Sequence, residues 1–131
     1  MIRDQINLFI IGSGIKQKVL SDAIGITSTN LNAYLRGKRT IPVDSLIKMM
    51  EVLGLSIGRN EESRSPFEPA EMNTAIAKRI TERGVTMKEV SKQTGINASS
   101  LSSYITGARS ISYENLDTLL AFLGMKVMAK N

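Results

Sequence analysis

The strongest constraint on this chain is an internal repeat. When Ile6 is placed over Ile76, one offset of 70 residues aligns the two halves without a gap as far as Ile57 and Val127. Identical residues recur mainly at apolar and glycine positions: Ile10/Ile80, Gly25/Gly95, Ile26/Ile96, Leu31/Leu101, Tyr34/Tyr104, Gly37/Gly107, Leu46/Leu116 and Gly54/Gly124. Stacked repeat proteins have periods of roughly 20 to 50 residues, so this longer period predicts two globular copies.

The repeat also predicts the domain organisation. We expect copy one in residues 1–57, a linker in residues 58–70 and copy two in residues 71–131. The linker is charged, holds two of the three prolines and has no apolar period. The net charge is +3 for copy one, −1 for the linker and +3 for copy two, which gives the whole chain +5. Each copy lies near the lower size limit for an autonomous core, which favours small all-helical domains.

Apolar spacing and turn residues predict four helices in each copy. In copy one they are expected over about Ile2–Ile10, Gln17–Ile24, Ser28–Arg36 and Val43–Leu53. The first should end at Gly12 and Gly14, and the others at Gly25, Gly37 and Gly54. Thr27 in copy one and Asn97 in copy two are suited to cap the third helix, because their side chains can accept a backbone N–H bond. In copy two, Thr86 with Glu89 and Ser112 predict further caps.

The second and third helices of each copy, joined by a glycine turn, have the spacing of a helix-turn-helix motif. Leu20, Ile26, Leu31 and Tyr34 are expected to face inward, and Ser21 to let the two helices approach closely. In such motifs the second helix of the pair enters the major groove of DNA. The pattern therefore predicts a DNA-binding frame in both copies.

Two stretches carry a family resemblance. GIKQKVLSDAIGITSTNLNAYLRGKRTIPVDSLIKMMEVLGLSI and GVTMKEVSKQTGINASSLSSYITGARSISYENLDTLLAFLGMKV each resemble the lambda-repressor/Cro-like domain, also called the xenobiotic-response-element type. The resemblance implies an all-α fold of two tandem four-to-five-helix domains. It also implies a double-stranded DNA partner.

The resemblance assigns roles to residues of copy one. In this family a Gln at the start of the second helix helps to anchor a phosphate and braces the first base-reading residue of the third helix, and Gln17 has that position. Bases would be read by Ser28, Thr29, Asn32 and Ala33, on the exposed first turns of the third helix. The DNA backbone would be met by Gln17, Asn30, Arg36, Lys38 and Arg39.

Copy two departs from this pattern. Met87 replaces Gln17, Ala98 replaces Ser28, Thr106 replaces Arg36 and Ala108 replaces Lys38. The remaining candidates for base reading are Ser99, Ser102 and Ser103, and those for phosphate contact are Lys88, Lys92 and Arg109. Copy two is expected to bind DNA weakly or with less selectivity than copy one.

Composition argues against catalysis. The chain has neither cysteine nor histidine, so it lacks thiolate metal ligands, the usual zinc ligands and the commonest general base. We expect no enzyme, no cofactor and no metal. The opening MIRDQINLFIIG is too short to span a bilayer and lacks a signal-peptide cleavage pattern, so we expect it to form a core helix. We expect a cytoplasmic protein that is associated with the nucleoid when DNA-bound. We expect no membrane partner.

Three functions stay open on the sequence. The basic pI of about 9.7 favours a polyanionic partner, and a repressor of phage, plasmid or mobile-element type is the first hypothesis. A close alternative is an antitoxin that regulates its own gene pair, because LDTLLAFLGMKVMAKN resembles antitoxins in which a strand after the fourth helix pairs with a dimer mate. The third is a protein-binding adaptor or inhibitor with a repurposed helix-turn-helix surface.

The two copies are also expected to form an intramolecular pseudo-dimer. Leu55–Gly58 and Met125–Ala129 both follow a fourth helix, and the second segment alternates in polarity. We expect them to pair as a short two-stranded β ribbon. A pseudo-twofold axis would then direct both third helices towards one face of the DNA, and self-association of the whole chain stays open.

Overall fold

A computed structural model describes residues 1–131. Each copy has four α-helices followed by one β-strand, as the sequence predicts. Copy one contains α1 (Ile2–Ser13), α2 (Gln17–Ile24), α3 (Ser28–Leu35), α4 (Val43–Leu53) and β1 (Leu55–Arg59). After a short 3-10 helix at Pro69–Glu71, copy two contains α5 (Met72–Arg83), α6 (Met87–Thr94), α7 (Ala98–Ile105), α8 (Tyr113–Leu123) and β2 (Met125–Ala129).

Local interactions explain where most of these helices begin and end. The Thr27 hydroxyl accepts a bond of 3.1 Å from the backbone N–H of Asn30 and so caps α3. Asn97 caps α7 by accepting from two backbone N–H groups. Gly25, between α2 and α3, has a φ of +75°, in a region that residues with a Cβ rarely adopt. The caps at Thr27, Asn97 and Ser112 and the glycine turn are confirmed. Thr86 accepts from the N–H of Glu89, but the reciprocal half of the predicted capping box is not formed.

Two helices end at slightly different residues from those predicted. α1 continues through Gly12 and ends at Ser13, because the left-handed conformation that terminates it falls at Gly14, with a φ of +69°. One glycine inside a helix costs only about 1 kcal/mol, which tertiary packing of α1 offsets. α3 ends at Leu35, since Arg36 already has the near-zero ψ of a tightening turn.

The copies use equivalent positions for their cores. Leu20, Leu31 and Tyr34 of copy one are at most 1% exposed, and Leu101 and Tyr104 of copy two are also buried. All of them belong to one hydrophobic cluster that extends through both copies. The two helix-turn-helix frames are therefore held by a shared core.

The ribbon between β1 and β2 is antiparallel, as predicted, and is one residue longer in β1 than predicted. Ile57 faces Val127, which is its own equivalent at the offset of 70 residues. Because this register is unchanged when the copies are exchanged, it places an approximate twofold axis at the Ile57–Val127 pair. Bonds of 2.9 Å from the N–H groups of Asn60 and Lys130 to carbonyls of the opposite copy follow the same symmetry.

Each copy also packs its first helix on the strand of the other. α1 contacts β2, and α5 contacts β1. The Gln5 side chain accepts a bond of 2.7 Å from the N–H of Val127, and the N–H of Ile2 donates to Asp117 at 3.2 Å. The copies are therefore interlocked by contacts beyond the ribbon.

The residues between the copies also have a defined structure. Ser65 is fully buried, and its N–H donates to the carbonyl of Ala129 at 2.9 Å. The ammonium of Lys78 lies 5.6 Å from the centre of the Phe67 ring. These contacts hold the connecting segment against the ribbon and α5.

Candidate nucleic-acid interface

α3 presents a polar face to solvent. Ser28, Thr29 and Asn32 are exposed and Ala33 is half-buried, whereas Leu31 on the same helix is fully buried. This division follows from the 3.6-residue helical period, which turns every third or fourth residue to the core. The four candidate base-reading residues of copy one thus share one accessible surface.

Hydrogen bonds between α2 and α3 orient part of this surface. The Asn32 amide donates to the Gln17 side chain at 3.3 Å, so Gln17 braces Asn32. Ser28 instead pairs with the buried Ser21 hydroxyl at 3.2 Å. The family resemblance implied that Gln17 braces the first base-reading residue, Ser28. In the structure Ser28 bonds to Ser21 instead, and Gln17 braces Asn32, one helical turn later.

The loop after α3 concentrates positive charge. Arg36, Lys38 and Arg39 are all exposed, and none forms an ion pair with a carboxylate. Arg39 donates to the side chain of Asn30 at 3.4 Å, which brings this loop beside the start of α3. Unpaired guanidinium and ammonium groups beside exposed amides are suited to phosphate oxygens.

A further cation, which no sequence pattern predicted, lies near this loop. The guanidinium of Arg3 lies against Gly37, whose φ is +78°, so closely that a Cβ there would approach it to 2.6 Å. The side chain of Arg3 is 39% exposed. Gly37 in the sequence predicted the turn. No residue near Gly37 in the sequence indicated that this turn would contact α1.

The equivalent surface of copy two is less polar and less charged. Ser99 and Ser102 are exposed and Ser103 is half-buried. Met87 is half-buried, packs on the core and cannot reproduce the brace that Gln17 provides. The exposed cations on this side are Lys88, Lys92 and Arg109, of which none is in an ion pair.

Tyr34 connects the back of α3 to the other copy. Its hydroxyl bonds to that of Tyr113 at 2.7 Å, and the two rings meet edge to face with centres 5.4 Å apart. Burial raises the pKa of both phenols, so they remain neutral donors and acceptors at physiological pH. The apolar spacing of α3 predicted a core position for Tyr34 but not this partner, which lies 79 residues away.

Two helix-turn-helix motifs, each with an exposed polar helix and nearby unpaired cations, define a class of DNA-binding domain. The helix-turn-helix family model matches the chain twice, at residues 11–59 and 76–127. The chain therefore belongs to the lambda-repressor/Cro-like helix-turn-helix family. Comparison with curated proteins and with solved structures gave no match. None of the helices has the length and apolar character needed to cross a membrane.

Proposed function

We propose that this DNA-binding regulator is a sequence-specific repressor that occupies one face of its operator with α3 and α7 together. The observation that carries the proposal is the self-equivalent register of the ribbon at Ile57 and Val127. A twofold relation between the two frames suits DNA, whose successive major grooves lie about 34 to 36 Å apart along one face. The half-sites should then be centred roughly 10 bp apart, or a small multiple of that.

In this proposal base reading is concentrated in copy one. Asn32, held by Gln17, can make two directed bonds to adenine, and Thr29 lies on the same exposed face. Ser28 and Ala33 would complete the base contacts. Phosphates would be met by Gln17, Asn30, Arg36, Lys38 and Arg39.

Copy two would contribute mainly affinity. Ser99, Ser102 and Ser103 offer short hydroxyls, which make adaptable bonds and discriminate less between bases than Asn does. Lys88, Lys92 and Arg109 can contact phosphates without reading sequence. The best operator should therefore be asymmetric in information content, and its occupation would block a promoter of phage, mobile-element or antitoxin type.

Selection of bound duplexes from a random pool tests this function directly. We expect two unequal half-sites, with the stronger one lost in Asn32→Ala and retained in Ser102→Ala. Affinity for random duplex should fall steeply with salt, because neutralised phosphates release counterions. Arg39→Ala should weaken all duplexes alike, while Arg64→Ala, which changes a cation beside the ribbon, should leave binding unchanged.

A protein-binding adaptor is the second candidate. Copy two favours it, because Met87, Ala98 and Ala108 leave its surface with few groups for DNA. In that case the full chain would not bind random duplex even at low salt, and no sequence would be enriched from the pool. Either result would replace the repressor proposal.

A further inference from the structure

The pseudo-twofold axis relates two contacts between α-helices of opposite copies, and only one of them is closed. In the closed contact, Tyr34 of α3 meets Tyr113 of α8, and the Thr40 hydroxyl donates to Glu114 at 3.1 Å. No cavity lies around these residues. We call this region the closed seam.

The symmetric region, formed by Tyr104 of α7 and Val43 of α4, is an open groove. It has a volume of about 300 Å³ and is also lined by Ile47, Met72, Asn73 and Arg109. Nearly every lining residue is the equivalent, at the 70-residue offset, of a residue in or beside the closed seam. We call this region the open seam.

Smaller side chains explain why the second seam stays open. Four replacements remove atoms from it: Val43 for Tyr113, Asp44 for Glu114, Asn73 for Arg3 and Ser110 for Thr40. The largest loss is an entire phenol ring at Val43. Since the surrounding backbone is fixed by the ribbon and the shared core, the copies cannot close over the missing atoms.

Tyr104 lacks a hydrogen-bond partner in the open seam. Its side chain is 7% exposed, and its hydroxyl is buried without any hydrogen-bond partner. The equivalent hydroxyl, on Tyr34, is bonded to a second phenol. A buried hydroxyl without a partner costs free energy that a new partner would recover.

We propose that the open seam is a binding site for a small phenol, which takes the place that the Tyr113 side chain holds in the closed seam. The ring would lie in the groove beside Val43 and Ile47. The Tyr104 hydroxyl is closed to solvent in the unliganded chain, so a side-chain displacement in the groove would accompany its pairing with the ligand hydroxyl. Arg109 and Asp44 line the same groove and would accommodate a polar substituent.

Occupation of this site would also affect the DNA surface. Tyr104 belongs to α7, and Arg109 lies in the loop after it, so a ligand in the groove would contact the two elements that carry the candidate DNA-binding residues of copy two. This consequence rests on the proposed repressor function. The binding site does not, because it can be measured in the absence of DNA.

The test uses p-cresol, which is the tyrosine side chain as a free molecule, and the full chain labelled with ¹⁵N. Titration should give saturable NMR shifts centred on Val43, Asn73, Tyr104 and Arg109. Tyr104→Phe should weaken p-cresol binding by roughly three- to tenfold, the effect of one hydrogen bond. The same variant should leave the affinity for toluene, which has no hydroxyl, unchanged.

Two further variants exchange the seams. Val43→Tyr should fill the groove and abolish binding, and Tyr113→Val should open the closed seam and create a second site. Absence of saturable shifts in the unmodified chain, or shifts centred away from the groove, would overturn the proposal. So would unaltered binding in a folded Val43→Tyr variant. If that variant does not fold, an equal loss of p-cresol and toluene binding in Tyr104→Phe would refute the hydroxyl pairing.

Discussion

The two copies share a scaffold and differ at their surfaces. Leu31 and Leu101 are both fully buried at equivalent positions, whereas Leu8 and Ile11 of α1, 70% and 77% exposed, are replaced by Lys78 and Thr81 in α5. Buried positions are constrained by packing density, because a volume change of even one methylene group in a close-packed core affects stability. Exposed positions such as those of α1 and α5 carry no such constraint, although the buried pair Val43 and Tyr113 shows that the copies differ inside as well.

The contacts between the copies show the same asymmetry. A symmetric ribbon joins them, yet Tyr34 finds a phenol partner where Tyr104 finds none. Symmetry of the backbone therefore does not imply symmetry of the contacts that it supports. Paired substitutions at equivalent positions can measure each difference separately.

The largest expected effect tests what the copies share. Leu31→Ala and Leu101→Ala should each lower the free energy of unfolding by about 2 to 5 kcal/mol, since both remove a fully buried side chain. Because the core is continuous, each should shift one common unfolding transition, measured by urea denaturation with circular dichroism. Val52→Ala, at a position 44% exposed, is the control and should change stability little. Two separate transitions would show that the copies are energetically independent.

The next effect tests whether the recognition surfaces differ. Asn32→Ala should cost about 1 to 3 kcal/mol in binding to the preferred duplex, because it removes a braced, bidentate amide. Ser102→Ala, the matched change in copy two, should cost less than about 1 kcal/mol, the net value of one adaptable hydrogen bond. Fluorescence anisotropy with preferred and scrambled duplexes measures both. Equal losses for the two variants would remove the asymmetry from the proposed operator.

The closed seam and the open seam can be compared by removing one tyrosine hydroxyl from each. Tyr34→Phe should destabilise the chain by about 1 to 2 kcal/mol, because it leaves the buried Tyr113 hydroxyl without a partner. Tyr104→Phe should be neutral or slightly stabilising, because the oxygen that it removes has no partner. Chemical denaturation of both variants gives the comparison. A loss in Tyr104→Phe as large as that in Tyr34→Phe would indicate a partner for Tyr104 that the structure does not contain.

The smallest effect is a gain. Thr106→Arg with Ala108→Lys gives copy two the loop cations of copy one and should tighten binding to random duplex roughly two- to fivefold at moderate salt. The slope of log affinity against log salt should become steeper by about 0.9 for each new phosphate contact. Ser63→Lys with Asn131→Lys adds the same charge elsewhere. If this control gave the same slope, net charge rather than position would explain the gain.

Much of the fold could be predicted because its signals are local. Thr27 caps α3 through an N–H three residues away, and Gly25 supplies the left-handed turn between α2 and α3. The ribbon was also predictable, since equivalent segments follow α4 and α8 and the second of them alternates in polarity. The misplaced ends of α1 and α3 differ by only a few residues, where a neighbouring turn residue decides the boundary.

The candidate site was less predictable. A family resemblance could assign Gln17 and Asn32 to one surface. That Ser28 bonds to Ser21, so that Gln17 bonds to Asn32, depends on how α2 and α3 pack. Arg3 lies beside Gly37 only because α1 crosses the end of α3. Positions distant in sequence gave no local signal for either contact.

By itself the sequence determined the duplication, the four helices of each copy, the helix-turn-helix frame and the pairing of the two final strands. The helices and the frame follow from periodicity, capping and turn chemistry, which act over a few residues. The duplication and the strand pairing follow from the 70-residue repeat. Only the tertiary structure decided that the copies interlock, that Tyr34 pairs with Tyr113 across 79 residues, and that the equivalent place beside Tyr104 is open. Contacts of this kind depend on the volumes of side chains that meet only after the chain has folded.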